Sequence, residues 1–308
     1  MIAVAVILWA LVVLLVLAGL WGLLIEPNRL EITELTVPVP HLPPALEGLT
    51  VGHLSDWHLS GQRRVLELAA RSCGEMMRQA PDLICLTGDL VTQSDHMPSA
   101  VSLLRGLSAS LGVFLVLGNH DCNATAEHML YGEDPDECAD EHWRAALAGL
   151  PVRLLNNESA AVEKGGVRLV VAGIGDSTAG WDDLAATVAG APVGELHVLL
   201  AHSPDVLDEP EATWADLVLC GHTHGGQLVL PGLGAAWAPV WRLRHRASGL
   251  WRLNSTVAFI TRGVGSGLRA RINCPPQIAV LRLVRGSAEA IPQTRRVVLR
   301  RNAEGAPV

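Results

Sequence analysis

Five times between residues 49 and 225, a short apolar run stops at a cluster of Asp, His or Asn. The clusters read His53-Leu54-Ser55-Asp56-Trp57-His58, Thr87-Gly88-Asp89, Gly118-Asn119-His120-Asp121, Ala201-His202-Ser203 and Gly221-His222-Thr223-His224. Short apolar runs bounded by turn residues read as buried strands, and amphipathic stretches between them read as helices. Their alternation points to a mixed α/β domain. In open α/β sheets ligands gather at the C-terminal ends of the strands, and that is where all five clusters fall. Gly88, Gly118 and Gly221 permit the tight turns that bring short side chains together. Strands are expected at 49–54, 82–86, 113–117, 167–174, 197–200, 217–219, 227–230, 257–261 and 278–283, and helices at 63–79 and 98–107.

The donors in these clusters are carboxylate, amide oxygen and imidazole. The six cysteines are scattered without CxxC spacing, so zinc-ribbon and thioredoxin-like readings fail. This donor set suits Mn, Fe or Zn, and an Asp-x-His at a strand end turns both side chains to one face. Seven such groups exceed the needs of one ion, which predicts two. A pair of ions about 3.5–4 Å apart is the clamp used for in-line phosphoryl displacement.

The five blocks, taken in order as D-x-H, G-D, G-N-H-D, a lone H and G-H-x-H, resemble the calcineurin-like metallophosphoesterases. The likeness covers about 49–284. Gly221-His222-Thr223-His224-Gly225-Gly226-Gln227 and the later Arg262-Gly263-Val264-Gly265 and Cys274-Pro275-Pro276 look like the bacterial membrane-associated phosphodiesterase branch. In that branch a Glu commonly follows the Pro pair, and this chain has Gln277. The resemblance implies a four-layer α/β/β/α sandwich. It implies that Asp56, His58 and His224 hold one metal, that Asn119, His202 and His222 hold a second, and that Asp89 bridges both. It further implies that water activated between the ions is the nucleophile. His120 would protonate the leaving oxygen or steady the charged transition state, and Asp121 would orient His120. His53 reads as a packed or supporting histidine.

Residues 2–25 contain no charged side chain. At about 1.5 Å per residue this run covers roughly 36 Å, enough to cross a hydrocarbon core of about 30 Å with some tilt. A cleaved signal peptide is the competing reading. The run lacks a basic start and an Ala-x-Ala close, which favours an uncleaved single anchor. Arg29 among Glu26, Glu31 and Glu34 assigns no membrane side. The expected organisation is an anchor over 1–25, a proline-broken linker over 26–48 able to add an edge strand, a catalytic domain over 49–284 and a basic tail over 285–308.

Charge is divided unevenly. Residues 1–240 hold ten Lys and Arg against 29 Asp and Glu, whereas residues 241–308 hold thirteen Arg against Glu289 and Glu304. Seven of the acids lie between Cys122 and Trp143, as a solvated loop or as a lid that repels polyanions. Cys122 and Cys138 flank it and could pair in an exported domain. Trp237, Trp241 and Trp251 interleave with Arg242, Arg244, Arg246 and Arg252, a pattern suited to a lipid interface. The expected activity is metal-dependent hydrolysis of a phosphodiester or pyrophosphate bond in a lipid-linked substrate, such as a UDP-diacylglucosamine-type lipid A precursor, at a cell membrane. No nucleic-acid partner is expected, and nothing in the residues specifies an oligomer. Two alternatives stay open: a broad phosphodiesterase or phosphatase on soluble substrates, and an inactive metal-binding membrane scaffold.

Overall fold

The computed structural model describes residues 2–122, 139–236, 238–239, 246–287 and 293–299. Helix α1 runs over Ile2–Leu20 and continues through a π-turn at Trp21–Ile25 and a 3-10 turn at Glu26–Asn28. The segment Ile2–Asn28 is long and apolar enough to cross a membrane, by length and composition. No residue of α1 is buried by the rest of the chain.

The strands follow in chain order: β1 Glu31–Val39, β2 Thr50–Leu54, β3 Leu83–Thr87, β4 Val113–Val116, β5 Val152–Leu154, β6 Glu158–Lys164, β7 Val167–Gly173, β8 Leu196–Ala201, β9 Leu217–Cys220, β10 Val229–Leu230, β11 Gly234–Ala235, β12 Gly249–Leu253, β13 Thr256–Ile260, β14 Gln277–Arg285 and β15 Gln293–Val298. Helices α2 Arg63–Gln79, α3 Met97–Leu104, α4 Ala139–Leu147 and α5 Leu184–Ala189 lie between them. One sheet has the order β15-β1-β14-β2-β3-β4-β5 and the other β12-β13-β9-β8-β7-β6, with β10 and β11 a separate hairpin.

Burial alternates along the strands and explains the layers. Val51, Leu83, Cys85, Phe114 and Val116 of the first sheet meet Val171, Val198, Leu200, Leu217 and Leu219 of the second in one apolar layer. Their neighbours Ile84, Leu86 and Leu115 point the other way, onto Leu68, Met76, Leu104 and Trp143 of the helices. On the far face of the second sheet Leu199, Ala201 and Val218 pack under Leu184, Val206 and Leu207. The result is the expected α/β/β/α arrangement, with both sheets covered on both faces, as near-continuous apolar strands require.

Two expectations are corrected. Residues 26–48 were expected to be a linker with at most an edge strand. Instead β1 lies inside the first sheet, parallel to β14 and antiparallel to β15. Residues 285–308 were expected to be a tail, yet 293–298 form the strand that covers β1. Strand pairing across this distance leaves no local trace, and the prolines read as a boundary. Strands β5, β6 and β12 and helix α5 were also not anticipated, whereas α4 begins where the acidic insert reads as running into a helix start. Most of the acidic insert, Cys138, Trp237 and Trp241 lie outside the described residues, and Cys122 is buried.

Candidate metal centre

The C-terminal ends of both sheets deliver the polar clusters to one place. β2 supplies Asp56 and His58, β3 supplies Asp89, and β4 supplies Asn119 and His120. β8 and β9 supply His202, His222 and His224 from the facing sheet. Asp56, His58, Asp89 and His224 bring one donor atom each within 4.8 Å of one another, and Asp89, His202 and His222 form a second group of the same kind. Asp89 is common to both. This is the pairing the sequence predicts for six of its seven ligands. The seventh, Asn119, is buried with an unpartnered Oδ1. Its neighbour Gly118 is one of the close approaches, since a methyl there would stand 2.8 Å from His202 Cε1.

The backbone is bent to make this approach. Asp56, His58, Asp89, His222 and His224 all adopt left-handed φ, between 48° and 67°. That region is rare for residues with a β-carbon and costs on the order of 1–3 kcal/mol each, so it persists where the surroundings demand it. Nothing in residue identity announces it.

Whether these residues fit divalent ions can be read from their polar atoms. Asp56 Oδ2, both ring nitrogens of His58, and His224 Nδ1 are buried without a hydrogen-bond partner. His58 Nε2 lies 3.2 Å from Asp89 Oδ2 but is not aligned to donate to it. His202 Nδ1 lies 2.6 Å from the Thr87 carbonyl, and His222 Nε2 lies 2.9 Å from the Pro239 carbonyl. A carbonyl only accepts, so both nitrogens donate, and each ring turns its other nitrogen inward. Those two inward nitrogens face each other at 3.1 Å. His202 Nε2 also lies 3.3 Å from Asp89 Oδ2, so either a proton on His202 or a cation must sit among these atoms. Buried donors left unsatisfied in this pattern suit metal ions.

Charge is organised accordingly. Burial opposes ionisation of Asp89, but the imidazoles of His202, His58 and His120 outweigh it and hold the carboxyl well below the usual range. Burial likewise opposes protonation of His202, yet the Asp89 carboxylate lifts it well above an ordinary imidazole. Burial lowers His222 to about 3, with His202 adding to the effect, and also lowers His224. His120 is lowered by burial as well. Its ring meets His58 edge-on at 4.8 Å, and its amide donates to Asp89 Oδ1 at 3.0 Å.

Asp121 differs from its expected role. Its Oδ1 accepts from the amides of Leu90 and Val91 at 2.9 and 3.1 Å, and Oδ2 accepts from Gly118 at 3.0 Å. It ties the Asp89 loop to the Asn119 loop instead of gripping His120. His53 is fully buried, with Nε2 at 2.9 Å from Thr87 Oγ1, and belongs to neither donor group.

A family model described as calcineurin-like phosphoesterase matches residues 49–226. The chain belongs to the calcineurin-like phosphoesterase family. It is 35% identical to the Escherichia coli phosphodiesterase YaeI over 242 residues, covering 75% of this chain and 80% of that one. It is 28% identical to the Bacillus subtilis metallophosphoesterase YkuE, over 84% of this chain and 87% of the relative. It is 27% identical to the Chlamydia trachomatis UDP-2,3-diacylglucosamine pyrophosphatase LpxG, over 87% and 93%. Like these relatives, this phosphoesterase is a metal-dependent phosphoric ester hydrolase, and its Asp and His cluster suits a dinuclear site.

Beside the site lies a second buried polar cluster that sequence reading missed. Arg262 Nη2 donates to Glu31 Oε1 at 2.6 Å, and Arg262 N donates to Gln277 Oε1 at 3.0 Å. Gln277 Nε2 donates to Thr33 Oγ1 at 2.7 Å, so the amide that departs from the family pattern is satisfied on both sides. Arg271 is 1% exposed and spends its guanidinium on the carbonyls of Arg262, Gly265 and Cys274. Glu26 accepts from Trp21 Nε1 and from Cys274 N, both at 2.5 Å. The loop between these residues touches the metal centre, because Gly265 N donates to Asp56 O at 2.5 Å.

Proposed function

We propose that this phosphoesterase hydrolyses a phosphodiester or pyrophosphate bond in a lipid-linked substrate, with α1 as its membrane anchor. Asp56, His58 and His224 would hold one ion, Asn119, His202 and His222 the other, and Asp89 both. The two abutting donor groups that share Asp89 carry this reading. When bound, the ions supply Lewis acidity toward the phosphoryl group and lower the pKa of the attacking water.

The chain's own residues do the rest. Thr87 and Pro239 fix the tautomers of His202 and His222 through their carbonyls. His120 lies at the rim of the Asp89 group, partly exposed. Because burial lowers its pKa, its ring arrives neutral at pH 7. A neutral imidazole there serves better as a hydrogen-bond donor to a charged phosphoryl or leaving oxygen than as a proton source. The lipid-linked substrate is supported by the apolar helix and by the likeness to LpxG.

The test uses the full chain in detergent, supplied in turn with Mn²⁺, Fe²⁺ and Zn²⁺. Asp89→Ala is expected to cut hydrolysis of bis-p-nitrophenyl phosphate by at least about 1,000-fold, beyond the loss of a single charge-stabilising donor. A diacylated UDP-sugar in mixed micelles is expected to be the better substrate. An Asp89→Ala variant as active as wild type would end the site assignment. Equal turnover of soluble and lipid-linked diesters would end the substrate assignment alone.

A further inference from the structure

The strand register decides which edge of the sandwich faces the anchor. β1 begins at Glu31 opposite Gln277, the first residue of β14. β14 runs antiparallel to β2, with Ala279 opposite His53 and Arg282 opposite Thr50. The start of β1 is therefore at the end of the sheet where β2 delivers Asp56 and His58. The apolar helix stops at Asn28, three residues before β1. The helix and the metal cluster share one edge.

The contact is direct. Arg271 N donates to Gly22 O at 2.9 Å, and a methyl at Gly22 would stand 2.8 Å from Ile272 Cγ1. Gly22 lies inside the uncharged run that ends at Ile25. At about 1.5 Å per residue it sits roughly 4–5 Å to the membrane side of that end. A loop that touches Gly22 reaches the bilayer interface.

Two neighbouring segments are bound to this loop and carry exposed leucines. Val229 N donates to Ile272 O at 3.0 Å, and Asn273 Nδ2 donates to Val229 O at 3.0 Å, which fastens the β10–β11 hairpin. Gln227 Nε2 donates to the carbonyls of Leu268 and Ala270. Leu233 at the hairpin tip is 81% exposed, Leu268 is 66% exposed and Leu230 is 46% exposed. Single exposed leucines are ordinary, but these three sit on tied loops at the mouth of the site. Arginines collect at the helix end on the same edge. Arg64 and Arg269 line a small cleft against Pro27, with Arg269 donating to Asn28 Oδ1 at 2.8 Å, and Arg29 stacks over Trp21. Leucines flanked by arginines and an interfacial tryptophan match a lipid surface with anionic headgroups.

We infer that the metal-bearing edge rests on the bilayer, with Leu230, Leu233 and Leu268 entering the interface and Arg29, Arg64 and Arg269 meeting lipid phosphates. This rests on the anchor reading above. It adds two leucine-bearing loops to the Trp/Arg segment over 231–252 that the sequence favours, and Leu233 lies within that segment.

The full chain would be reconstituted in vesicles of phosphatidylcholine and phosphatidylglycerol containing a doxyl-labelled lipid. A Cys138→Ser background leaves only the buried cysteines Cys73, Cys85, Cys122, Cys220 and Cys274. An environment-sensitive fluorophore is then placed at Leu233→Cys, Leu268→Cys, Leu14→Cys or Val193→Cys. Val193 is 87% exposed and precedes β8, so it marks the opposite edge. Labels at 14, 233 and 268 are expected to be quenched, and the label at 193 is not. Quenching at 14 alone overturns the inference and leaves the anchor standing. No quenching at 14 overturns the anchor reading itself. In parallel, Leu233→Asp with Leu268→Asp is expected to lower turnover of a vesicle-embedded diester by at least about tenfold. Turnover of bis-p-nitrophenyl phosphate should stay at the wild-type level. An equal loss on both substrates overturns the inference.

Discussion

Two buried polar clusters adjoin in this molecule, and they are built on opposite rules. Around Asp89 five of the seven candidate ligands hold left-handed backbone, and Asp56 Oδ2, both ring nitrogens of His58, His224 Nδ1 and Asn119 Oδ1 lack partners. Around Arg262 the backbone is relaxed at Glu31 and Gln277. Apart from Arg262 Nε, the polar groups named there are matched to carbonyls, amides and carboxylates of the same chain. The first cluster is incomplete as a protein structure and complete only with cations. The second is closed on itself. Burial and charge alone therefore do not mark a functional site; unsatisfied ligand atoms gathered around one carboxylate do.

The sharpest way to separate them is to break the closed cluster. Arg262→Ala leaves buried Glu31 with only the longer Arg296 contact at 3.8 Å and is expected to destabilise the folded state by about 3 kcal/mol, read from denaturant midpoints. Hydrolysis per folded molecule should be nearly unchanged. Replacing both partners, with Arg262→Met and Glu31→Gln, should recover most of the loss. Failure to recover would mean that the pair does more than hold itself together.

The open cluster predicts a smaller effect from a different perturbation. Removing divalent ions with a chelator should lower stability by about 2.7 kcal/mol if the ions had been present at a hundred times their Kd. The drop should be as large in Arg262→Ala as in wild type. A chelator that leaves the midpoint unmoved would contradict the contrast between the clusters.

Asp121 sits between the two behaviours. Asp121→Asn loses a charged acceptor for three amides and should cost about 1–3 kcal/mol. The shape of the pH–rate profile should not change. An altered profile with unaltered stability would restore the role of orienting His120.

The smallest effect at neutral pH, and one that grows as pH falls, concerns His53. Burial lowers its pKa from 6.5 to about 3. The unfolded chain therefore takes up a proton there below pH 6.5 while the folded chain does not. Stability is unaffected above pH 6.5 and falls by about 1.4 kcal/mol per pH unit below it, or about 2 kcal/mol at pH 5. His53→Gln, compared with wild type at pH 7 and pH 5 in excess chelator, should show the shallower fall.

What sequence revealed follows the same division. Metal donors are short side chains that must leave strand ends beside small residues, so Asp56-x-His58 and Gly221-His222-Thr223-His224 announce themselves. The partners of Glu31 and Glu26 lie at Arg262 and Cys274, far along the chain, with no local pattern to signal them. The prolines near β1 read as a break because their strand is stabilised entirely by distant segments. The role of Asp121 was misjudged for a related reason, since the donors to its carboxylate are backbone amides, which carry no mark in the sequence.

The placement of β1 has a consequence for how the protein is made. This strand leaves the ribosome directly after the apolar helix, yet both of its neighbours, β14 and β15, are synthesised last. Until then the nascent chain carries an unpaired strand behind that helix. Sheet closure is expected to be late and slow, as non-local parallel pairing generally is, and a prematurely terminated chain cannot complete it. Chains that lack 277–298 should accordingly persist as protease-sensitive species.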